Sequence, residues 1–209
     1  MFTPSLSLTA SNIACERGEK RLFHGLSFTV APSSVLKLAG DNGAGKTSLL
    51  RILAGLLPAA NGEILWGNQV ITQHSTDYCA ALHYIGHGSG LKRSLTVYEN
   101  LCLAKSLTRC EEDTLYDAAH RLHLDKLLQN PLEQLSAGQL RRVALARLLL
   151  SPKPLWLLDE PLTAMDQEGI AVVEQLLTTH AQQGGISVVS THQALLLPTI
   201  TVTTLRLGL

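Results

Sequence analysis

Charge is scarce in this 209-residue sequence: Asp, Glu, Lys and Arg make up 16% of it, and 17 basic residues balance 17 acidic ones to a formal net charge of zero. Proteins that live on a nucleic-acid backbone draw most of their affinity from basic stripes, so no nucleic-acid partner is expected. No apolar run approaches the roughly 18 residues that a membrane helix needs. The start, Met1-Phe2-Thr3-Pro4, has neither the basic nor the apolar region of a secretion signal. Work at a membrane would therefore depend on other chains. The cysteines Cys15, Cys79, Cys102 and Cys110 form no CxxC and keep no regular spacing, which predicts buried small hydrophobes in a reducing compartment. Repeats, low-complexity stretches and Pro/Gly/Ser-rich linkers are also absent. With 45% apolar residues, the chain reads as one domain over 1–209 with a full core.

The apolar pattern predicts an α/β fold. Leu26-Ser27-Phe28-Thr29-Val30 alternates as a half-buried antiparallel strand does. Val35-Leu36-Lys37-Leu38-Ala39 runs into a Gly-rich loop, after which Leu49, Leu50, Leu53 and Leu57 can share one face of a helix over 46–56. The stretch from about Leu95 to Gln129, rich in Leu, Ala, Glu and Lys, predicts a mainly helical insert. Leu155-Trp156-Leu157-Leu158 and Ile186-Ser187-Val188-Val189-Ser190 have the length and apolarity of buried parallel strands.

Two motifs carry chemistry. Gly40-Asp41-Asn42-Gly43-Ala44-Gly45-Lys46-Thr47, followed by Ser48, fits G-x-x-x-x-G-K-[ST] between a predicted strand and a predicted helix. Its glycines let the backbone curl N–H groups around phosphate oxygens, aided by the positive end of the helix. Lys46 offers a mobile charge to the β- and γ-phosphates, and Thr47 offers a hydroxyl to Mg²⁺. The second motif delivers Asp159 and Glu160 to the end of the apolar run Leu155–Leu158. In open α/β sheets that end is where ligands sit. Asp159 is placed to hold Mg²⁺ and Glu160 to polarise an attacking water. An acidic pair in a solvated turn is the plain alternative, and the upstream phosphate loop argues against it.

With those motifs, Leu135-Ser136-Ala137-Gly138-Gln139-Leu140-Arg141-Arg142 resembles the LSGGQ signature of ATP-binding-cassette (ABC) ATPases, P-loop NTPases with an N-terminal antiparallel β subdomain and a helical signature subdomain. The order continues: Thr163-Ala164-Met165-Asp166 resembles the D-loop, and His192 the switch histidine. The resemblance implies a nucleotide-binding core and β subdomain from about 1–87 and 151–209, and a helical subdomain from about 88–150. It implies ATP hydrolysis with Mg²⁺ in a head-to-tail dimer of two copies, Ser136–Gln139 and Asp166 of one facing ATP on the other. Glu160 would activate water and His192 contact the γ-phosphate. Ser136 as a plain helix cap is the simpler reading of that residue.

Three positions depart from the family pattern. Ala137 replaces the first signature glycine. Arg17 stands where an aromatic usually stacks on adenine; a guanidinium can stack on a base too, or it can be an exposed salt-bridging Arg. His87 stands eight residues before Leu95, in place of the usual glutamine that links Mg²⁺ to the membrane partner, and imidazole titrates near neutral pH. The segments Cys15–Phe23, Gly62–Trp66 and Tyr84–His87 are similar to those of the ATPase subunits of bacterial cytochrome c maturation, often called haem exporters. That implies membrane permease subunits as partners and a peripheral place on the cytoplasmic face of the inner membrane. The ATPase of another exporter, for drugs, ions or lipids, and a soluble ABC protein are the alternatives. A GTPase fits less well, since no NKxD element is present.

Overall fold

The computed structural model describes residues 6–18, 20–88, 90–106 and 112–208. The chain divides into two compact units, Met1–Gly86 with Lys153–Glu160 and Leu176–Leu209, and His87–Pro152 with Pro161–Gln175.

In the first unit, β1 (Leu8–Arg17) and β2 (Lys20–Val30) form an antiparallel hairpin, extended by β4 (Asn61–Trp66) and β5 (Gln69–Val70) in the order β2-β1-β4-β5. Phe28 and Val30 turn inward between exposed Ser27 and Thr29, as the alternation predicts. The second sheet has the order β6-β7-β8-β3-β9, all neighbours parallel, from β6 (Leu82–Ile85), β7 (Leu155–Asp159), β8 (Ile186–Ser190), β3 (Ser34–Ala39) and β9 (Thr201–Arg206). Every residue of β7 and β8 is buried, the mark of a strand covered on both faces. One apolar core joins both sheets to helix α1 (Lys46–Leu53) through Leu8, Ile13, Leu38, Leu50, Leu53 and Val188.

Helix α1 ends earlier than its apolar spacing suggests. Gly55, at φ 70°, donates its N–H to Ile52 O, and Leu56 donates to Arg51 O. These bonds close a Schellman cap, and the left-handed residue it requires is glycine. Leu49, Leu50 and Leu53 lie on the buried face, whereas Leu57 falls beyond the helix. A short helix α2 (Ser75–Ala81) then leads to β6. The cysteine expectation holds in part: Cys15 is buried, Cys102 is half-buried and Cys79 is exposed on α2, while Cys110 lies outside the described residues.

The second unit contains α3 (Val97–Ser106), α4 (Glu112–Arg121) and α5 (Ala137–Ala146), with a core that includes Leu101, Leu115, Leu122, Leu132 and Val143. A capping box starts α3: the Thr96 amide donates to Glu99 Oε2 at 2.7 Å and the Glu99 amide donates to Thr96 Oγ1 at 3.2 Å. Helix α6 (Gln167–Gln182) begins in this unit and supplies its residues from Leu176 to the first.

Candidate nucleotide site

Parallel register brings the distant motifs together. Leu38 pairs with Ser190, and Ser190 with Asp159, so β3, β8 and β7 end side by side. Immediately beyond those ends come the loop from Gly40, the residues Thr191 and His192, and Glu160. The phosphate loop curls from β3 into α1, with Gly45 as the helix N-cap and the Phe23 ring of β2 packed beside it. Asp41, Asn42 and Gly43 are exposed, Gly40, Ala44 and Ser48 half-buried.

Lys46 is buried, yet its ammonium is well served. It donates to Gly40 O at 2.7 Å and Asp41 O at 3.1 Å, and lies 3.2 Å from His192 Nε2. The same His192 nitrogen is 3.2 Å from Asn42 Oδ1 and 3.7 Å from Glu160 Oε1. A neutral imidazole nitrogen either accepts or donates, so His192 serves Lys46 in one tautomer and Asn42 in the other.

Asp159 is 2% exposed. Thr47 donates its hydroxyl to Asp159 Oδ2 at 2.9 Å, and Ser190 donates to Oδ1 at 2.6 Å. Glu160 follows in the left-handed region at φ 52°, a conformation rare for a residue with a Cβ, with its amide donating to both Ser190 O and Ser190 Oγ. The predicted residues Lys46, Thr47, Asp159, Glu160 and His192 thus share one locus. The carboxylate of Asp159 and the hydroxyl of Thr47 are hard oxygen donors of the kind Mg²⁺ prefers, so the residues fit a metal that arrives with a nucleotide. The sequence pattern does not single out Ser190, whose one local signal is a hydroxyl closing the apolar run Ile186–Val189.

Arg17 ends β1 on an exposed hairpin, opposite Lys20 in register, while its neighbours Glu16 and Arg21 pair with each other at 3.3 Å. His87 is the exposed first residue of the second unit.

In the second unit Ser136 does cap a helix. Gln139 donates its amide to Ser136 Oγ at 3.2 Å, and Ser136 donates its amide to Gln139 Oε1 at 2.9 Å. The next bond, from Leu140 N to Ser136 O, belongs to the helix. The amides of Ala137 and Gly138 have no partner among the described residues and sit at the positive end of α5. Ala137 is exposed, so its methyl meets no obstacle. Gly138 is different, because a Cβ there would lie 2.5 Å from Ala164 O. Leu135 is buried just ahead of the cap.

Ala164 adopts φ 61°, and Asp166 then starts α6 by accepting from the Gly169 amide at 2.8 Å. Arg142 of α5 donates to the same oxygen at 2.8 Å. The Gly169 amide and then the Arg142 guanidinium hold the Asp166 carboxyl below its ordinary pKa. Ser136, Gly138, Gln139, Arg142, Ala164 and Asp166 line a cavity of about 250 Å³. Arg142 is the second residue that sequence reasoning passed over, since its partner lies in another motif.

The model of the ABC transporter family matches residues 23–163. The chain is 45% identical over 202 residues to the cytochrome c biogenesis ATP-binding export protein CcmA of Aliivibrio fischeri, covering 96% of this chain and 99% of that protein. It is 44% identical to the protein of the same name from Nitrosomonas europaea, over 96% of this chain and 95% of the relative. Among solved structures, a bacterial Atm1-family ABC exporter with ATP bound superposes with a TM-score of 0.84 at 24% identity, over 100% of this chain and 39% of that one. An ABC transporter ATP-binding protein from Pyrococcus furiosus gives 0.81 at 24% identity, covering 96% of this chain and 97% of its own. These two likenesses establish the fold, and the closer relatives establish more: the chain belongs to the ABC transporter family of ATP-hydrolysing subunits, within the group of cytochrome c biogenesis ATP-binding export proteins.

Proposed function

We propose that this chain hydrolyses ATP for a bacterial cytochrome c maturation complex, powering haem export or the release of a haem-loaded chaperone. The observation that carries the enzymatic part is the meeting of Lys46, Asn42 and Glu160 around His192 Nε2, beside the Asp159–Thr47 pair. A cation, an acid and an imidazole face one point at the mouth of a phosphate loop, where the γ-phosphate of ATP is to be held.

The loop amides from Gly40 to Ser48 grip the phosphates, and Lys46, already seated on two carbonyls, turns its charge to the β- and γ-oxygens. Thr47 and Asp159 would hold Mg²⁺, which supplies charge neutralisation on the phosphates. Glu160 orients the attacking water and takes up its proton as the new P–O bond to the γ-phosphorus forms and the bond to the β–γ bridging oxygen breaks, with ADP as the leaving group. His192 exchanges its contact with Lys46 or Asn42 for one with the γ-phosphate, and so reports whether that phosphate is present. Arg17 lies against the base. Ala137 and Gly138 offer their free amides to the γ-phosphate bound on a second copy, arranged head to tail. Asp166, committed to Gly169 and Arg142, acts by holding the D-loop to the signature helix. Closure and reopening of the pair then drive membrane permease subunits, contacted through the helical region and the His87 loop. The chain sits peripherally at the cytoplasmic face of the inner membrane by these contacts; no described helix is long and apolar enough to cross a membrane.

Glu160→Gln is the direct test. The variant keeps ATP-dependent association of two copies while steady-state hydrolysis falls by about 10²-fold or more. Hydrolysis near the wild-type rate would remove Glu160 from the reaction.

A further inference from the structure

We propose that Ser190 is a positioning residue for hydrolysis, setting the angle at which Glu160 leaves the sheet. This rests on the reading of Glu160 as the water-activating residue. The last residue of β8 is fully buried, in a strand whose neighbours Val188 and Val189 are purely apolar. Packing alone would be served by another aliphatic side chain. A buried hydroxyl instead needs partners, and Ser190 has one for each of its capacities. It donates to Asp159 Oδ1 at 2.6 Å and accepts from the Glu160 amide at 2.9 Å.

These two bonds act on consecutive residues with different needs. Asp159 ends a regular strand, and its carboxylate can rotate unless both oxygens are engaged. Ser190 takes Oδ1 and leaves Oδ2 to Thr47. Glu160 holds a left-handed backbone that a residue with a Cβ resists, and such conformations persist only where the surroundings over-determine them. Its amide is pinned twice to Ser190, by the carbonyl at 3.0 Å and by the hydroxyl. The carbonyl bond continues the parallel ladder, and any residue at this position would make it. Only a hydroxyl adds the second, and with it a rigid link from the Glu160 backbone to the Asp159 carboxylate.

The test compares Ser190→Thr with Ser190→Val, side chains of the same branched shape in which a methyl replaces the hydroxyl, in the full chain within its membrane complex. Ser190→Thr keeps kcat within about threefold of wild type, and Ser190→Val loses about ten- to a hundredfold, the scale expected when a reacting group is misplaced. KM for ATP and affinity for the non-hydrolysable analogue AMP-PNP with Mg²⁺ stay within about threefold in both. Melting temperatures identify any variant that does not fold, and Ser190→Ala then replaces Val in the comparison. Equal kcat for the hydroxyl and non-hydroxyl variants overturns the proposal, as does a loss of analogue affinity that matches the loss of kcat. Glu160→Gln measured alongside separates the two readings: turnover near wild type in that variant sinks the role of Glu160, whereas a slow Glu160→Gln beside a fast Ser190→Val sinks only Ser190.

Discussion

The ammonium of Lys46 lies 3.2 Å from Nε2 of His192, across 146 residues of chain. One residue comes from the phosphate loop and the other from the segment after β8, and the parallel pairing of β3 with β8 is what makes them neighbours.

Replacing His192 with Ala removes one acceptor from Lys46 but leaves the Gly40 and Asp41 carbonyls in place. Nucleotide affinity therefore changes by only about threefold, while kcat falls by about 10²-fold, as expected for losing one group that stabilises charge in the transition state. Equilibrium binding of a fluorescent ATP analogue and steady-state phosphate release measure the two. A proportional loss of binding would make His192 part of the ground-state grip.

Gly138→Ala drives a methyl to 2.5 Å from Ala164 O, a backbone atom that cannot swing aside. A stability loss of about 1–3 kcal/mol is expected from such overpacking, with hydrolysis lost as the D-loop moves off the signature helix. Ala137→Gly, at an exposed helix start, costs at most about 1 kcal/mol. Thermal melts and ATPase assays on both variants check the contrast, and similar behaviour of the two would refute it.

His180 predicts an acid-sensitive fold. It stacks on Trp156 at 3.8 Å, meets Ser187 Oγ at 3.0 Å and Lys153 O at 2.9 Å, and burial lowers its pKa to about 4. The unfolded chain, with an ordinary His near 6.5, takes up a proton that the folded one refuses. Stability is therefore complete above pH 6.5 and declines as pH falls toward 4, by about 1.4 kcal/mol per unit and on the order of 3 kcal/mol in all. Urea melts between pH 6.5 and 5, above the carboxylate range, measure the slope. His180→Gln flattens it, and an unchanged slope in that variant would assign the acid sensitivity elsewhere.

For His87 the contrast is between two substitutions at an exposed position, where stability changes stay within about 0.5 kcal/mol. Glutamine keeps an acceptor and retains most of the partner-stimulated ATPase activity; alanine does not. Equal stimulated rates in the two variants would make His87 a surface residue without a part in coupling.

Local order was the legible part of this molecule. Gly40–Thr47 and the Asp159–Glu160 pair stand out because each is a run of consecutive residues, and the apolar runs of β7 and β8 reveal strands buried on both faces. The cap at Gly55 was also written locally, but the continuing apolar spacing to Leu57 obscured it. What stayed hidden depends on register between distant strands and helices. Nothing near Ser190 in the sequence says that Asp159 will lie opposite it. Nothing near Arg142 says that Asp166 will need a second donor.

The position of β3 in its sheet also bears on how the protein is made. This strand leads into the phosphate loop, yet its neighbours are β8 and β9, which end at Ser190 and Arg206. A chain emerging from the ribosome at about 5–20 residues per second therefore carries β3 with both edges bare until nearly the whole of the first unit has been synthesised. Bare parallel edges invite pairing with other chains. The order of synthesis thus defers the pairing of the strand that leads into the phosphate loop until β8 and β9 have emerged, which puts nucleotide capture among the last properties the nascent polypeptide acquires.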